Sequence, residues 1–174
     1  YRSVTLLQEI MEYDADIVCL QDVDQFRTFW QPKLAQCGYD SVYKKKTDHK
    51  GKRVEGVLVA FKTDNLSMFK TVELELNDAA YMRDDISRSL FDNTLNDDVA
   101  LIVFLRPWKD KFLKSAVCVV SAMTSDLPGS AHSLVRGLEV EYICKEIEKA
   151  NLEFQLPVLI GISLYDDPSS PAYH

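Results

Sequence analysis

Six cations crowd one short stretch: Lys44, Lys45, Lys46, Lys50, Lys52 and Arg53, with His49 among them. Lysine heads are point charges on long stems, and they grip phosphate oxygens without reading a base. The stretch is therefore a candidate RNA contact, and its plainer reading is the solvated tip of a hairpin. A patch of opposite sign lies downstream. Residues 73–98 hold eight carboxylates against Arg83 and Arg88, a net −6 that leaves −1 for the rest of a chain whose formal charge is −7. The body is thus close to neutral, and the overall acidity neither demands nor excludes nucleic acid. The acidic stretch reads either as a solvated loop or as a dock for a basic partner such as a ribosomal protein. Other reactive side chains are scattered. Cys19, Cys37, Cys118 and Cys144 form no CxxC pair. They read as reduced, mostly buried thiols in an intracellular reducing compartment, cytoplasm or mitochondrion. His132 and His174 have no metal-ligating partner at helix or hairpin spacing. Ser121 and Ser163 lack the G-x-S-x-G context of a serine nucleophile.

These groups must be held by a core, and the composition provides for one. The chain has 174 residues, 47% of them hydrophobic and 27% charged, which fits a single domain spanning 1–174 and excludes a disordered chain. No apolar run approaches the ~20 residues of a membrane span, and the first ten residues carry no signal-peptide pattern. Apolar residues at helical spacing predict a helix over 3–13 and another over 134–149. A helix over 26–37 must begin close to Gln31, because Pro32 is tolerated only in a first turn, and Gly38 ends it. Trp30 reads as core beside Phe26 and Phe29. Trp108, which follows Pro107, reads as a turn residue or an exposed stacking platform. Strands are expected at 17–20, 39–43, 57–61, 66–76, 99–105, 116–122 and 157–160, and an irregular acidic insertion at 77–98. Helices alternate with strands at both ends, and hairpin-like strands fill the middle. That order predicts an α/β fold with mixed sheets.

The segment Leu6-Leu7-Gln8-Glu9-Ile10, followed by Tyr13-Asp14-Ala15-Asp16-Ile17-Val18-Cys19-Leu20-Gln21-Asp22-Val23-Asp24, is the most specific in the chain. It resembles the first helix–strand unit of the exonuclease/endonuclease/phosphatase superfamily, where "ADIVCLQEV" recurs. Within it, the segment is most similar to the deadenylase-like branch, which includes nocturnin, the Angel proteins and the 2′,5′-phosphodiesterase. Further landmarks follow in order. The basic stretch 44–56 and the strand after it resemble the branch's basic loop, "(D/E)G" and strand. Val117–Val120 resembles the strand leading to "NTHL", and Arg136 resembles a recurring arginine on the next helix. Residues 157–161, Pro168 and Ser170-Pro171-Ala172-Tyr173 resemble "PVIxCGDFNSxPxSxxY". The resemblance implies a two-sheet mixed α/β sandwich with helices outside, whose first and last strands would lie outside this chain.

It also implies a reaction. Members of the superfamily cleave phosphodiesters or remove phosphates with Mg²⁺, which takes hard oxygen ligands and neutralises developing charge. The motifs that would supply those groups are altered here. The metal-binding glutamate corresponds to Asp22, shorter by one methylene, about 1.5 Å of reach. The histidine of "NTHL" corresponds to Met123, which brings neither proton nor charge. The aspartate and asparagine of "GDFN" correspond to Ile162 and Leu164. Sliding the last motif would bring Asp166 or Asp167 closer, at the loss of the strand register set by Val158 and Ile160. The fold-forming residues are kept and the chemical ones are not. The expectation is a catalytically inactive domain, with no cofactor expected, acting as an interaction module with protein partners in an RNA-processing or ribonucleoprotein assembly. The alternative is an Mg²⁺-dependent 3′–5′ exoribonuclease or deadenylase with displaced ligands, Asp22 the remaining metal ligand. A third option is an RNA-binding remnant using the basic stretch.

Overall fold

The computed structural model describes residues 2–47, 54–82, 87–126 and 130–165. Its elements run α1 (Arg2–Tyr13), β1 (Ile17–Leu20), a π-helical turn (Phe26–Trp30), α2 (Gln31–Gln36), β2 (Tyr39–Lys45), β3 (Gly56–Lys62) and β4 (Leu66–Glu75). After a 3₁₀ turn (Leu76–Tyr81) come α3 (Arg88–Thr94), β5 (Val99–Pro107), β6 (Val117–Met123), α4 (Ser130–Asn151) and β7 (Val158–Ser163). Two sheets form. One is antiparallel, in the order β1-β3-β2. The other, β4-β5-β6-β7, is antiparallel except where β7 lies parallel to β6. This is the α/β fold with mixed sheets that the element order predicts, in the two-sheet sandwich form that the resemblance implies.

Strict alternation along the strands builds the layers. On β3, Val57, Val59 and Phe61 face the other sheet, where Val99, Leu101, Val103 and Leu105 of β5 meet them with Val119 and Met123 of β6. The intervening Leu58 and Ala60 pack outward on Ile10, Trp30 and Leu34 from α1 and the α2 region. On the second sheet Ala100, Ile102, Phe104, Cys118, Val120 and Ala122 pack outward on Ile143 and Ile147 of α4. The order of layers is therefore helix, sheet, sheet, helix. At one end of the seam β1 meets β7 at very close range. A Cβ placed on Gly161 would come within 2.7 Å of the Cys19 Cβ, so only glycine lets the two sheets approach there.

Three expectations change. The strand at 39–43 runs on to Lys45, so part of the basic stretch is sheet rather than loop. The acidic stretch carries ordered helical turns at Leu76–Tyr81 and Arg88–Thr94 instead of an irregular loop. The second of these is capped by the Ser87 hydroxyl, which accepts from the Leu90 N–H at 3.2 Å. The thiols are not mostly buried: Cys118 is buried and Cys19 partly so, whereas Cys37 and Cys144 are exposed. Trp30 is core as expected, and Trp108 is exposed with its indole N–H donating to the Thr63 carbonyl. No helix among the described residues is long and apolar enough to cross a membrane.

Candidate functional site

Asp22, Met123 and Leu164, three of the residues singled out in the sequence, stand at the ends of β1, β6 and β7. Asp22 follows β1 in the left-handed region, φ 55°, a conformation that aspartate tolerates better than most residues. It is exposed, and one carboxylate oxygen accepts a 2.6 Å hydrogen bond from the Tyr165 hydroxyl. That bond, then burial, pushes the Tyr165 phenol up to about 12, so it stays a proton donor across the ordinary pH range. Beside it the Gln21 carboxamide donates to the Ser121 hydroxyl (3.0 Å) and to the Gly161 carbonyl (3.2 Å), while the Ser121 hydroxyl donates to the Leu20 carbonyl. One side chain thus ties β1 to both β6 and β7.

Met123 lies 1% exposed among the valines and leucines between the sheets. It extends the apolar seam up to the site instead of presenting a polar head there. Ile162 and Ser163 divide between the two faces of β7. β7 pairs with β6 so that Ser163 stands opposite Met123 and Ile162 opposite Ala122. Ile162 therefore packs on the α4 side, and Ser163 shares the seam side with Met123. The Ser163 side chain also hydrogen-bonds Tyr165. Leu164 is half-buried just beyond β7. Asp166, Asp167, Pro168, residues 170–173 and His174 lie outside the described residues.

The basic stretch divides along the pleat. Lys44 is held by Glu73, at 3.3 Å, and by Glu75 of β4, and Thr47 also donates to Glu75. Lys46 is only 3% exposed and pairs with buried Asp98 at 2.7 Å and with Glu55 at 3.9 Å. Neither head is free to meet a phosphate, which corrects the expectation for Lys44 and Lys46. Lys45, between them, points to the other side and is exposed. Lys50, Lys52 and Arg53 fall outside the described residues.

A buried polar network also lies here that the sequence reading missed. Arg136 donates to the Ser125 carbonyl at 3.1 Å, and Glu139 accepts from the Ser125 N–H at 3.0 Å; both side chains are buried on α4. Asp98, Lys46 and Arg136 all act on Glu139. Burial first, then the Asp98 charge, pushes its carboxyl well above the usual range. The available signal was a pair of charges one turn apart, flanked by Val135 and Leu138, on an otherwise apolar helix face.

A Mg²⁺ centre needs several hard oxygens in near-octahedral array. Among the described residues no three His, Cys, Asp or Glu side chains converge. The carboxylate at the motif position already accepts from Tyr165, and its neighbours Met123 and Gln21 are committed to packing and to strand ties. The described donors do not fit such a centre.

No protein-family model matches the chain. Curated relatives do. Carbon catabolite repressor protein 4 homolog 1 of Arabidopsis thaliana is 34% identical, the match covering 92% of this chain and 29% of the relative. The CCR4-Not complex 3′-5′-exoribonuclease subunit Ccr4 of Yarrowia lipolytica is 36% identical over 117 residues, 60% of this chain and 17% of the relative. The crystal structure of ANGEL2, a 2′,3′-cyclic phosphatase, in complex with adenosine-2′,3′-vanadate, superposes with a TM-score of 0.76 at 25% identity. That match covers 97% of this chain and 45% of the other. The chain thus spans under a third of the length of these curated relatives. Fold and sequence agree on one class: the chain belongs to the exonuclease/endonuclease/phosphatase superfamily. Its place there is with the deadenylase-like branch of Ccr4 and Angel proteins.

Proposed function

We propose that the chain is a catalytically inactive member of this branch, serving as an interaction or structural module in an RNA-processing or ribonucleoprotein assembly. The observation that carries the reading is the Tyr165–Asp22 hydrogen bond beside a core-buried Met123. The carboxylate that would hold a metal is engaged by a phenol, and the position that would present a histidine contributes to the apolar seam. A polar cluster that satisfies itself strengthens the fold and leaves little with which to activate water. Protein partners fit this role, since the Yarrowia relative is by name a subunit of a complex. The four free thiols suit a reducing intracellular compartment.

The test is hydrolysis of poly(A) and of 2′,5′-linked oligoadenylate by the purified chain with 5 mM Mg²⁺. The expected result is no product above a no-protein control. Mg²⁺-dependent cleavage abolished by Asp22→Ala overturns the proposal and establishes the second reading, a Mg²⁺-dependent 3′–5′ exoribonuclease with divergent site residues. One observation favours that second reading: Asp22 keeps an exposed carboxylate at the motif position.

A further inference from the structure

Arg27 and Lys45 stand apart from the other cations of this region. Both are exposed, and neither has a carboxylate partner among the described residues, whereas Lys44 and Lys46 on either side in sequence are held by Glu73, Glu75 and Asp98. They come from different elements: Arg27 from the π-helical turn and Lys45 from the end of β2 on the edge of its sheet. Together with Phe26, Tyr43 and Val54 they line one open groove of about 380 Å³. The floor is apolar and aromatic. Phe26 and Tyr43 stack with centroids 4.5 Å apart and planes 11° from parallel. The Tyr43 hydroxyl reaches the Val23 carbonyl at 3.1 Å, which fixes the pair in place. Val54 is 63% exposed at the rim. None of these five residues lines the pocket beside Asp22, which is bounded by Arg2, Leu6, Gln21, Asp22, Asp24 and Trp30 among others.

We propose that this groove is a binding site for single-stranded RNA, separate from the remnant of the catalytic centre. Two cations lining one groove, neither in an ion pair with a carboxylate among the described residues, repel one another, and a pair of phosphates relieves that repulsion. An apolar floor between cations matches a nucleotide, whose flat base alternates with a charged backbone, and base stacking of this kind does not depend on sequence. The alternation of β2 explains why one lysine of three serves here: the pleat turns Lys44 and Lys46 towards carboxylates and leaves Lys45 on the groove side. The inference does not rest on the loss of catalysis, because binding is read without metal.

The experiment is fluorescence anisotropy with 5′-labelled A12 RNA and the full chain in EDTA over 50–200 mM salt, with circular dichroism confirming that each variant is folded. Arg27→Glu/Lys45→Glu is expected to weaken binding at least tenfold and to reduce the slope of log affinity against log salt by about 1.4, two single-strand phosphates at ~0.7 each. Val54→Ser is expected to weaken binding a few-fold with the slope unchanged. Lys145→Glu/Lys149→Glu on α4, the same change in net charge, is expected to leave affinity within twofold. Equal binding by Arg27→Glu/Lys45→Glu overturns the site, and an equal loss in the α4 variant reduces it to long-range charge. Displacement of RNA by poly-glutamate as readily as by unlabelled A12 assigns the groove to an acidic protein instead and also overturns it. RNA cleavage with Mg²⁺ would sink the proposed inactivity while leaving this groove untouched.

Discussion

Glu139 is buried on α4, with one oxygen on the Ser125 N–H and the other, Oε1, without a hydrogen-bond partner among the described residues. Asp98 faces it as a like charge, and Lys46 and Arg136 as opposite ones. Its carboxyl is raised in the native state, so the native protein holds the proton to higher pH than the unfolded chain does. That contribution to stability is complete below the unfolded value near 4.3 and is lost as pH climbs toward the raised native value. Glu139→Gln, uncharged at every pH, is expected to gain on the order of 1 kcal/mol over the parent at pH 8 and nothing at pH 4, measured by urea unfolding at both. A parent with flat stability from pH 4 to 8 would contradict the assignment. Residue types alone did not show this network. Arg136 was legible as a landmark, yet Asp98 and Lys46, which act with it on Glu139, lie far off in sequence and come to Glu139 only in the fold.

Strand periodicity made most of the architecture legible, and one miss falls where an element ended later than its apolar residues did. Tyr43 closes the apolar part of β2, but the ladder continues through Lys44 and Lys45 because Val57 and Gly56 of β3 still pair with them. Polar residues at a strand end look like loop in sequence, and so three lysines that alternate read as one cationic tip. The face that Ile162 takes was not legible for a related reason. Which face a residue takes is fixed by the parallel register with β6, and sequence spacing does not supply that register. The register also makes a prediction at Gly161. Gly161→Ala pushes a methyl into Cys19, and the overpacking is expected to destabilise by about 1–3 kcal/mol. In the double variant Cys19→Gly/Gly161→Ala the loss should fall short of the two single losses added together, because the clash is relieved. Simple additivity in urea unfolding would show that the sheets do not press together there.

Across the whole molecule, burial sorts the chemistry of four cysteines that composition treats alike. Burial pushes the Cys19 and Cys118 thiols up to about 11; Cys37 and Cys144 lie exposed on opposite helical layers, although partial burial and then Glu148 also raise the Cys144 thiol. At pH 8 two thiols are expected to react with Ellman's reagent in the folded protein and the remaining two only in denaturant. Four fast thiols would mean that the layers open readily. Net charge misleads in the same way. The −7 total conceals ion pairs that draw Lys44 to β4 and Lys46 to Asp98, while Lys45 between them stays exposed.

The base of the β2–β3 hairpin carries a wider consequence. Lys46 accepts no looseness there: its amide donates to the Glu55 carbonyl, its ammonium is buried on Asp98, and Gly56 exchanges backbone bonds with Val23. These clamps hold the two arms to each other, to the residue before β5 and to the segment after β1, so loosening any one of them leaves the others to keep the strands in register.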